Sequence, residues 1–342
     1  MRYQGGKVRI GKAVAATLKK QEAKYAKELG LTTPLPYFEP FGGMLGVMRY
    51  MGEEKGRPVR KRVASDVNQD VVEMWRRAQK GWKPPKKCSE KEWERMRRSA
   101  LTARTPSAAR GFVGSQVSFG GAFFSGYAGR YDPSKDFCAQ GARGLAKILP
   151  EVQDVKMYAL PYEEFHPKGY LIYADPPYDT HYASFGRNKY MSRFDSAKFW
   201  RTMEEWSKDN LVFVSEFKAP RGWKTIWKQQ VNRAINPRQR TDYGYGTHKS
   251  VERVYFYAPP KKSSFAKPTL GLKRSKLPFR TIVPKLHINQ GRRWTPKGQA
   301  SARARKSPQT TRKGRTTRKS SPKAKRRNSR KHHKQSPKPR RR

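Results

Sequence analysis

Three short apolar runs in this chain stop at residues that a buried strand cannot continue through, and helical stretches separate them. Residues 35–41 run into Gly42-Gly43, residues 62–65 into Asp66, and residues 168–174 into Asp175-Pro176-Pro177. Apolar runs bounded by such breakers read as buried strands. Residues 8–29 place Ile10, Val14, Leu18, Tyr25 and Leu29 at mixed three- and four-residue spacings with Lys and Glu between them, the pattern of an amphipathic helix. Residues 44–51 and 67–79 read as further helices, and 211–217 and 251–257 as further strands. Strands alternating with helices imply parallel pairing, so an α/β fold is expected. Ligands on such sheets bind at the carboxyl ends of the strands, and those ends carry Gly42-Gly43, Asp66 and Asp175.

Charge confines that fold to the part of the chain before Pro259-Pro260. Residues 261–342 hold 30 Lys and Arg and no Asp or Glu, whereas the preceding body holds 47 basic and 26 acidic residues. From Ser301 onward, apolar residues are too few to offset the entropy of ordering the chain, so a disordered basic tail is expected. Residues 261–300 read as a tethered linker, although Leu270, Leu272, Phe279 and Ile282 would suit a strand packed on the body. A net charge of +51 predicts a nucleic-acid partner, bound through phosphate neutralisation and counterion release. Clusters such as Lys323 to Arg330 would equally serve nuclear import. There is no apolar run long enough for a membrane span and no apolar leader, so neither a membrane nor a secretory route is expected. The expected location is intracellular: a bacterial or host cytoplasm, or the host nucleus if the source is a eukaryotic virus. Cys88 and Cys138 lack CxxC spacing, which argues against a disulfide framework or a zinc cluster.

Residues 81–150 interrupt the strand–helix alternation. They contain Pro84-Pro85, a charged helical stretch over 90–98 and the Gly/Phe/Ser-rich run 111–121, with basic residues mixed with Trp82 and Trp93 between Lys83 and Arg110. This reads as an inserted, mostly helical region that grips phosphates.

The sharpest motif is Asp175-Pro176-Pro177-Tyr178 at the end of an apolar strand. Two consecutive prolines remove two backbone donors and fix two φ angles, leaving rigid carbonyl acceptors. An exocyclic adenine N6, conjugated into its ring, is a poor nucleophile. Acceptance of its hydrogens by the Asp175 carboxylate and the Pro176 carbonyl would aim its lone pair at an incoming methyl group. Tyr178 would stack on the flipped base. Near Gly42-Gly43, Glu39 or Phe41 could face a sulfonium, and Asp66 is placed for ribose hydroxyls.

The ordered set Tyr3-x-Gly-Gly-Lys7, Glu39-Pro-Phe41-x-Gly43, Ser65-Asp66-x-Asn68 and Asp175-Pro-Pro-Tyr178 resembles the DNA adenine methylase family over residues 1–258. The resemblance implies a Rossmann-like class I methyltransferase sheet formed by 1–80 and 151–258, with a target-recognition insert at 81–150 and the basic linker and tail at 261–342. It implies S-adenosyl-L-methionine as methyl donor, met by Tyr3, Lys7, Glu39, Phe41, Gly43, Asp66 and Asp175, and catalysis by Asp175, Pro176, Pro177 and Tyr178 without a metal. The implied reaction is methylation of adenine N6 in double-stranded DNA by a monomer, with a companion restriction endonuclease left open. Arg110 to Tyr131 resembles the family's Arg-rich, Phe-Gly-containing DNA-contacting loop, and residues 246–254 its final loop and strand. One departure is Leu45, which stands where the family carries a second glycine, so that either Gly46 substitutes or the loop is wider. Two alternatives remain. One is a degenerate methylase fold serving as a basic DNA-binding or condensing protein; the other is an N-methyltransferase acting on RNA or a protein amide.

Overall fold

The computed structural model describes residues 1–31, 33–52, 59–177, 194–234, 247–258 and 268–272, with backbone only at 232–234 and 247–249. In chain order the elements are α1 (Gly11–Leu29), β1 (Tyr37–Glu39), β2 (Arg62–Ser65), α2 (Gln69–Ala78), α3 (Glu90–Thr102), α4 (Ala108–Gln116) and α5 (Phe137–Ile148). There follow β3 (Lys156–Tyr158), β4 (Phe165–Lys168), β5 (Leu171–Ala174), α6 (Ser196–Ser207), β6 (Leu211–Glu216), β7 (Lys224–Ala234), β8 (Thr247–Phe256) and β9 (Thr269–Leu272). The expected α/β architecture is present as a seven-stranded, mostly parallel sheet, β3-β2-β1-β5-β6-β8-β7, in which β8 alone runs against its neighbours. Counted among its own members in chain order, the sheet reads 3-2-1-4-5-7-6. Its first five positions follow the doubly wound order, and the direction of winding reverses between β1 and β5.

Local chemistry explains the helix boundaries. Asn68, Ser107, Asp136 and Asp195 each accept the backbone N–H three residues on, and Ser89 with Glu92 forms a reciprocal capping box. Helix α1 buries Val14, Leu18, Glu22 and Ala26 at helical spacing and stops at Gly30, whose φ is +63°. The sheet splits the core. Tyr37, Ala64, Leu171, Tyr173, Phe213, Val254 and Phe256 face α1, α2, α4 and α5. Phe38, Val63, Ile172, Ala174, Val212 and Val214 face α6 together with Phe165 of β4. Glu22 is the one carboxylate that α1 sends into this packing. It accepts two N–H bonds from Arg60, at 3.0 and 2.7 Å, and one from Leu35 N at 2.7 Å, and Arg60 donates a further bond to Leu35 O.

Four expectations change. Residues 44–51 form turns and a single 3-10 turn at Met48–Tyr50 in place of a helix, because Leu45 lies at φ +54°, outside helical space. The last strand is longer than residues 251–257 and runs antiparallel to β6. Strands β3 and β7 add to the sheet; one is three residues long and the other, rich in Lys, Gln and Arg, forms an edge, so neither carries an apolar signal. Within the expected linker, Thr269–Leu272 pairs antiparallel with β4. The tail from residue 273 lies outside the described residues. No helix among the described residues is long and apolar enough to cross a membrane.

Removing one member of a buried ion pair leaves the other charge uncompensated, at a cost of about 3–5 kcal/mol. Glu22→Ala should therefore lower unfolding free energy by about that amount in urea titrations, whereas the paired replacement Glu22→Leu with Arg60→Met should cost far less. Equal losses in the two variants would sink this account.

Candidate active site

The strand order brings the sequence-predicted residues together from distant parts of the chain. Lys7 is buried and donates to Asp175 Oδ1 at 2.6 Å across a separation of 168 residues, and to Gly5 O at 3.0 Å. Glu252 of β8 lies 3.9 Å from the same ammonium. Glu39 ends β1 on the same face of the sheet as Tyr37 and accepts the Tyr37 hydroxyl at 2.7 Å. Burial pushes the Glu39 carboxyl up to about 8; the Asp175 charge adds to the rise, while the Tyr37 hydroxyl, the Met48 N–H and Arg62 oppose it. Asp175 and Glu252 thus share one lysine, and Glu39 lies within the field of Asp175.

The loop after β1 is held by its neighbours rather than by its own side chains. Gly42 N donates to Ser65 O at 2.7 Å, Gly43 N to Asp66 Oδ2 at 2.9 Å, and Trp75 Nε1 to Gly43 O at 2.9 Å. Gly43 lies at φ +45°, and a Cβ there would come within 2.8 Å of the Tyr3 ring, so Tyr3 lies directly on the loop. Leu45 takes up the left-handed conformation itself, costing roughly 1–2 kcal/mol. Its fully buried side chain offsets that cost by about 1.5–3 kcal/mol. A Cβ at Gly46 would press on the backbone of Lys7 and Val8 at 3.1 to 3.3 Å.

Asp66 Oδ1 accepts Asn68 N at 2.8 Å in addition to the Gly43 bond. Burial raises its pKa, and these two N–H donors oppose the rise. Pro176 is buried and Pro177 half-buried beyond Asp175, whereas Tyr178 lies outside the described residues. Phe41 turns to the opposite face from Glu39 and packs on Tyr162 at 5.4 Å and Phe199 at 5.7 Å, away from the Lys7 cluster.

Arg110, which opens the stretch read from the sequence as resembling a DNA-contacting loop, is paired with Asp70 of α2. Its Nε and Nη2 donate to Asp70 at 2.9 and 2.8 Å, and Ser107 N bonds the same carboxylate at 2.7 Å. Two contributors were missed. Glu252 was legible, since alternation along β8 puts it on the core face with Val254 and Phe256. Gln116 clamps the N-terminal segment, accepting Arg2 N at 2.7 Å and donating to Arg2 O at 2.8 Å, and no local signal marks it. Among the described residues no group of three or more His, Cys, Asp or Glu could hold a metal ion. Compared with the known protein families and with the curated proteins, the chain matches none.

The Glu39 carboxyl holds its proton more tightly when folded than its usual value of 4.5 would allow. The folded state therefore binds more protons than the unfolded state between about pH 4.5 and about pH 8, so this residue lowers stability as pH rises through that window, and its effect levels off above it. Glu39→Gln keeps an acceptor for Tyr37 and removes the titration. The gain in urea midpoint of the variant over the native chain should grow from about pH 5 to about pH 9; a constant difference would refute the assignment.

Proposed function

We propose that the chain transfers a methyl group from S-adenosyl-L-methionine to the N6 of an adenine flipped out of double-stranded DNA. The observation that carries this reading is the Lys7–Asp175 pair at 2.6 Å, which unites the opening Tyr-x-Gly-Gly-Lys motif with the Asp-Pro-Pro-Tyr motif where the sheet reverses direction. Those motifs resemble the DNA adenine methylases, and ligands of doubly wound sheets lie at such reversal points.

The residues present fit the methyl donor. A sulfonium suits a site where carboxylates outnumber ammonium groups, as Asp175 and Glu252 outnumber Lys7. A ribose diol needs acceptors, and a carboxylate has about four lone-pair positions, of which the two N–H bonds to Asp66 use half. The donor supplies an electrophilic methyl group whose leaving group is a neutral thioether. The chain supplies position and charge. Lys7 fixes the Asp175 carboxylate, Gly43 and Tyr3 shape the floor beside it, and the Pro176 carbonyl with Asp175 accepts the hydrogens of the target amine. Tyr178 holds the base by stacking. Catalysis of this kind is positioning with electrostatic preorganisation and involves no covalent enzyme intermediate.

Purified chain should incorporate labelled methyl from S-adenosyl-L-methionine into duplex DNA, recovered as N6-methyladenine. Asp175→Asn, confirmed folded by circular dichroism, should lower turnover by about 10²–10³ while duplex affinity stays within about twofold. Asp66→Ala should weaken donor binding without changing duplex affinity. Normal turnover in Asp175→Asn, or label recovered from RNA or protein in preference to DNA, would overturn the proposal.

A further inference from the structure

Cys88 and Cys138 are the only cysteines of the chain, and they stand 50 residues apart without a shared motif. The fold nevertheless brings the two free thiols into hydrogen-bond contact. Neighbouring elements fix both positions. Cys88 immediately precedes Ser89, whose capping box with Glu92 starts α3, and its carbonyl accepts the Tyr127 hydroxyl at 3.0 Å. Cys138 lies in the first turn of α5, where Asp136 accepts the N–H of Ala139 at 2.9 Å. Tyr127 borders both cysteines: its ring packs on Trp93 at 6.3 Å, and its phenol is raised by burial and then by the charges of Cys88 and Cys138. Cys138 is buried within the core cluster, whereas Cys88 packs against that cluster and stays half-buried.

The two thiols are unequal. The Cys138 thiol donates to the Cys88 sulfur, which pulls the Cys88 thiol down, against burial and Glu92 and with the help of Arg95. The same hydrogen bond, together with burial, pushes the Cys138 thiol up, so that it keeps its proton. The more accessible member is therefore the readier thiolate, and the thiolate is the form that attacks an oxidant. A buried cysteine alone behaves as a small apolar group. A buried thiol in contact with an accessible thiolate can instead resolve what that thiolate becomes on oxidation.

We propose that Cys88 and Cys138 form a reversible redox site, which reacts with a hydroperoxide and closes a disulfide between the start of α3 and the first turn of α5. With hydrogen peroxide, the Cys88 sulfur attacks one oxygen: an S–O bond forms, the O–O bond breaks, and the other oxygen leaves as water with the proton of the Cys88 thiol. The Cys138 sulfur then attacks the sulfenic acid: the S–S bond forms, the S–O bond breaks, and the oxygen leaves as a second water with the Cys138 proton. The thiol pair loses two electrons and the peroxide gains them. An external thiol reopens the bond by exchange. From contact, the two side chains turn toward each other until the sulfurs lie about 2.05 Å apart. The bond encloses α3 and α4 in one covalent loop with the first turn of α5. Nothing in this chemistry depends on methyl transfer.

The test adds hydrogen peroxide to the reduced full chain, blocks the remaining thiols with N-ethylmaleimide and reads the products by mass spectrometry. Neither cysteine should take up the blocking reagent, and a peptide pair linked through Cys88 and Cys138 should appear and vanish again with dithiothreitol. Cys138→Ala keeps a small apolar group in the core and removes the resolving thiol. With dimedone present, this variant, confirmed folded by circular dichroism, should yield at least about tenfold more trapped Cys88 sulfenic acid than the parent, in which the fold holds the second thiol at high effective concentration. Cys88→Ser should leave Cys138 unoxidised over the time in which the parent closes. The linked peptide in the folded parent decides the matter even where a variant fails to fold. A Cys88–Cys88 bond between two chains as the main product, a linked pair found only after unfolding in urea, or equal dimedone trapping in the parent and Cys138→Ala would each overturn the proposal.

Discussion

The ion pair between Lys7 and Asp175 is the constraint around which the rest of the site is arranged. Both groups are largely withdrawn from water, and a buried charge without its partner costs several kcal/mol, roughly 3–5 by comparison with other buried pairs. The pair therefore pins the N-terminal segment across the ends of β1 and β5. That segment in turn lays Tyr3 on Gly43 and passes Gln4 to the carbonyl of Gly121 at 3.1 Å. The raised carboxyl of Glu39 follows first from burial and then from the nearby Asp175 charge.

Charge has two uses in this molecule, and the sequence displays only their sum. Inside the body many cations are committed to structure: Arg60 to Glu22, Arg62 to Asp154, Arg110 to Asp70 and Lys7 to Asp175. Each is a partly or fully buried pair whose role is to specify how elements dock. The surplus that would draw in a polyanion is concentrated after Leu272, where no acid offsets it. A net charge of +51 thus overstates what the body surface offers to phosphates and understates how much of the electrostatics is internal.

Much of the fold was legible because breakers carry information. Gly42-Gly43, Asp66 and Asp175-Pro176 mark strand ends whatever the tertiary context, and β1, β2 and β5 lie before them. Strands β3 and β7 were not legible, since a three-residue strand and a polar edge strand have no hydrophobic period to read. The candidate residues Lys7 and Asp175 were singled out from motif order, and their pairing follows from the topology. The pairing of Arg110 was not legible for a physical reason: its partner, Asp70, lies 40 residues earlier on another helix, and a charge on its own does not announce its partner. The left-handed backbone of Leu45 was equally hidden, because residue type disfavours the conformation that packing enforces.

The contact between α2 and α4 bears on how such a chain could be re-engineered or could diversify. Gly111 lies so close to α2 that a Cβ there would approach Asp70 O to 2.1 Å, and the Asp70 side chain simultaneously holds Arg110 and the N-cap residue of α4. The segment that begins with α4 is therefore keyed into the helix that also carries Trp75, the support of the Gly43 loop. It is not a cassette. A chimera carrying a foreign segment in place of α3 to α5 would therefore need to bring its own version of α2 as well.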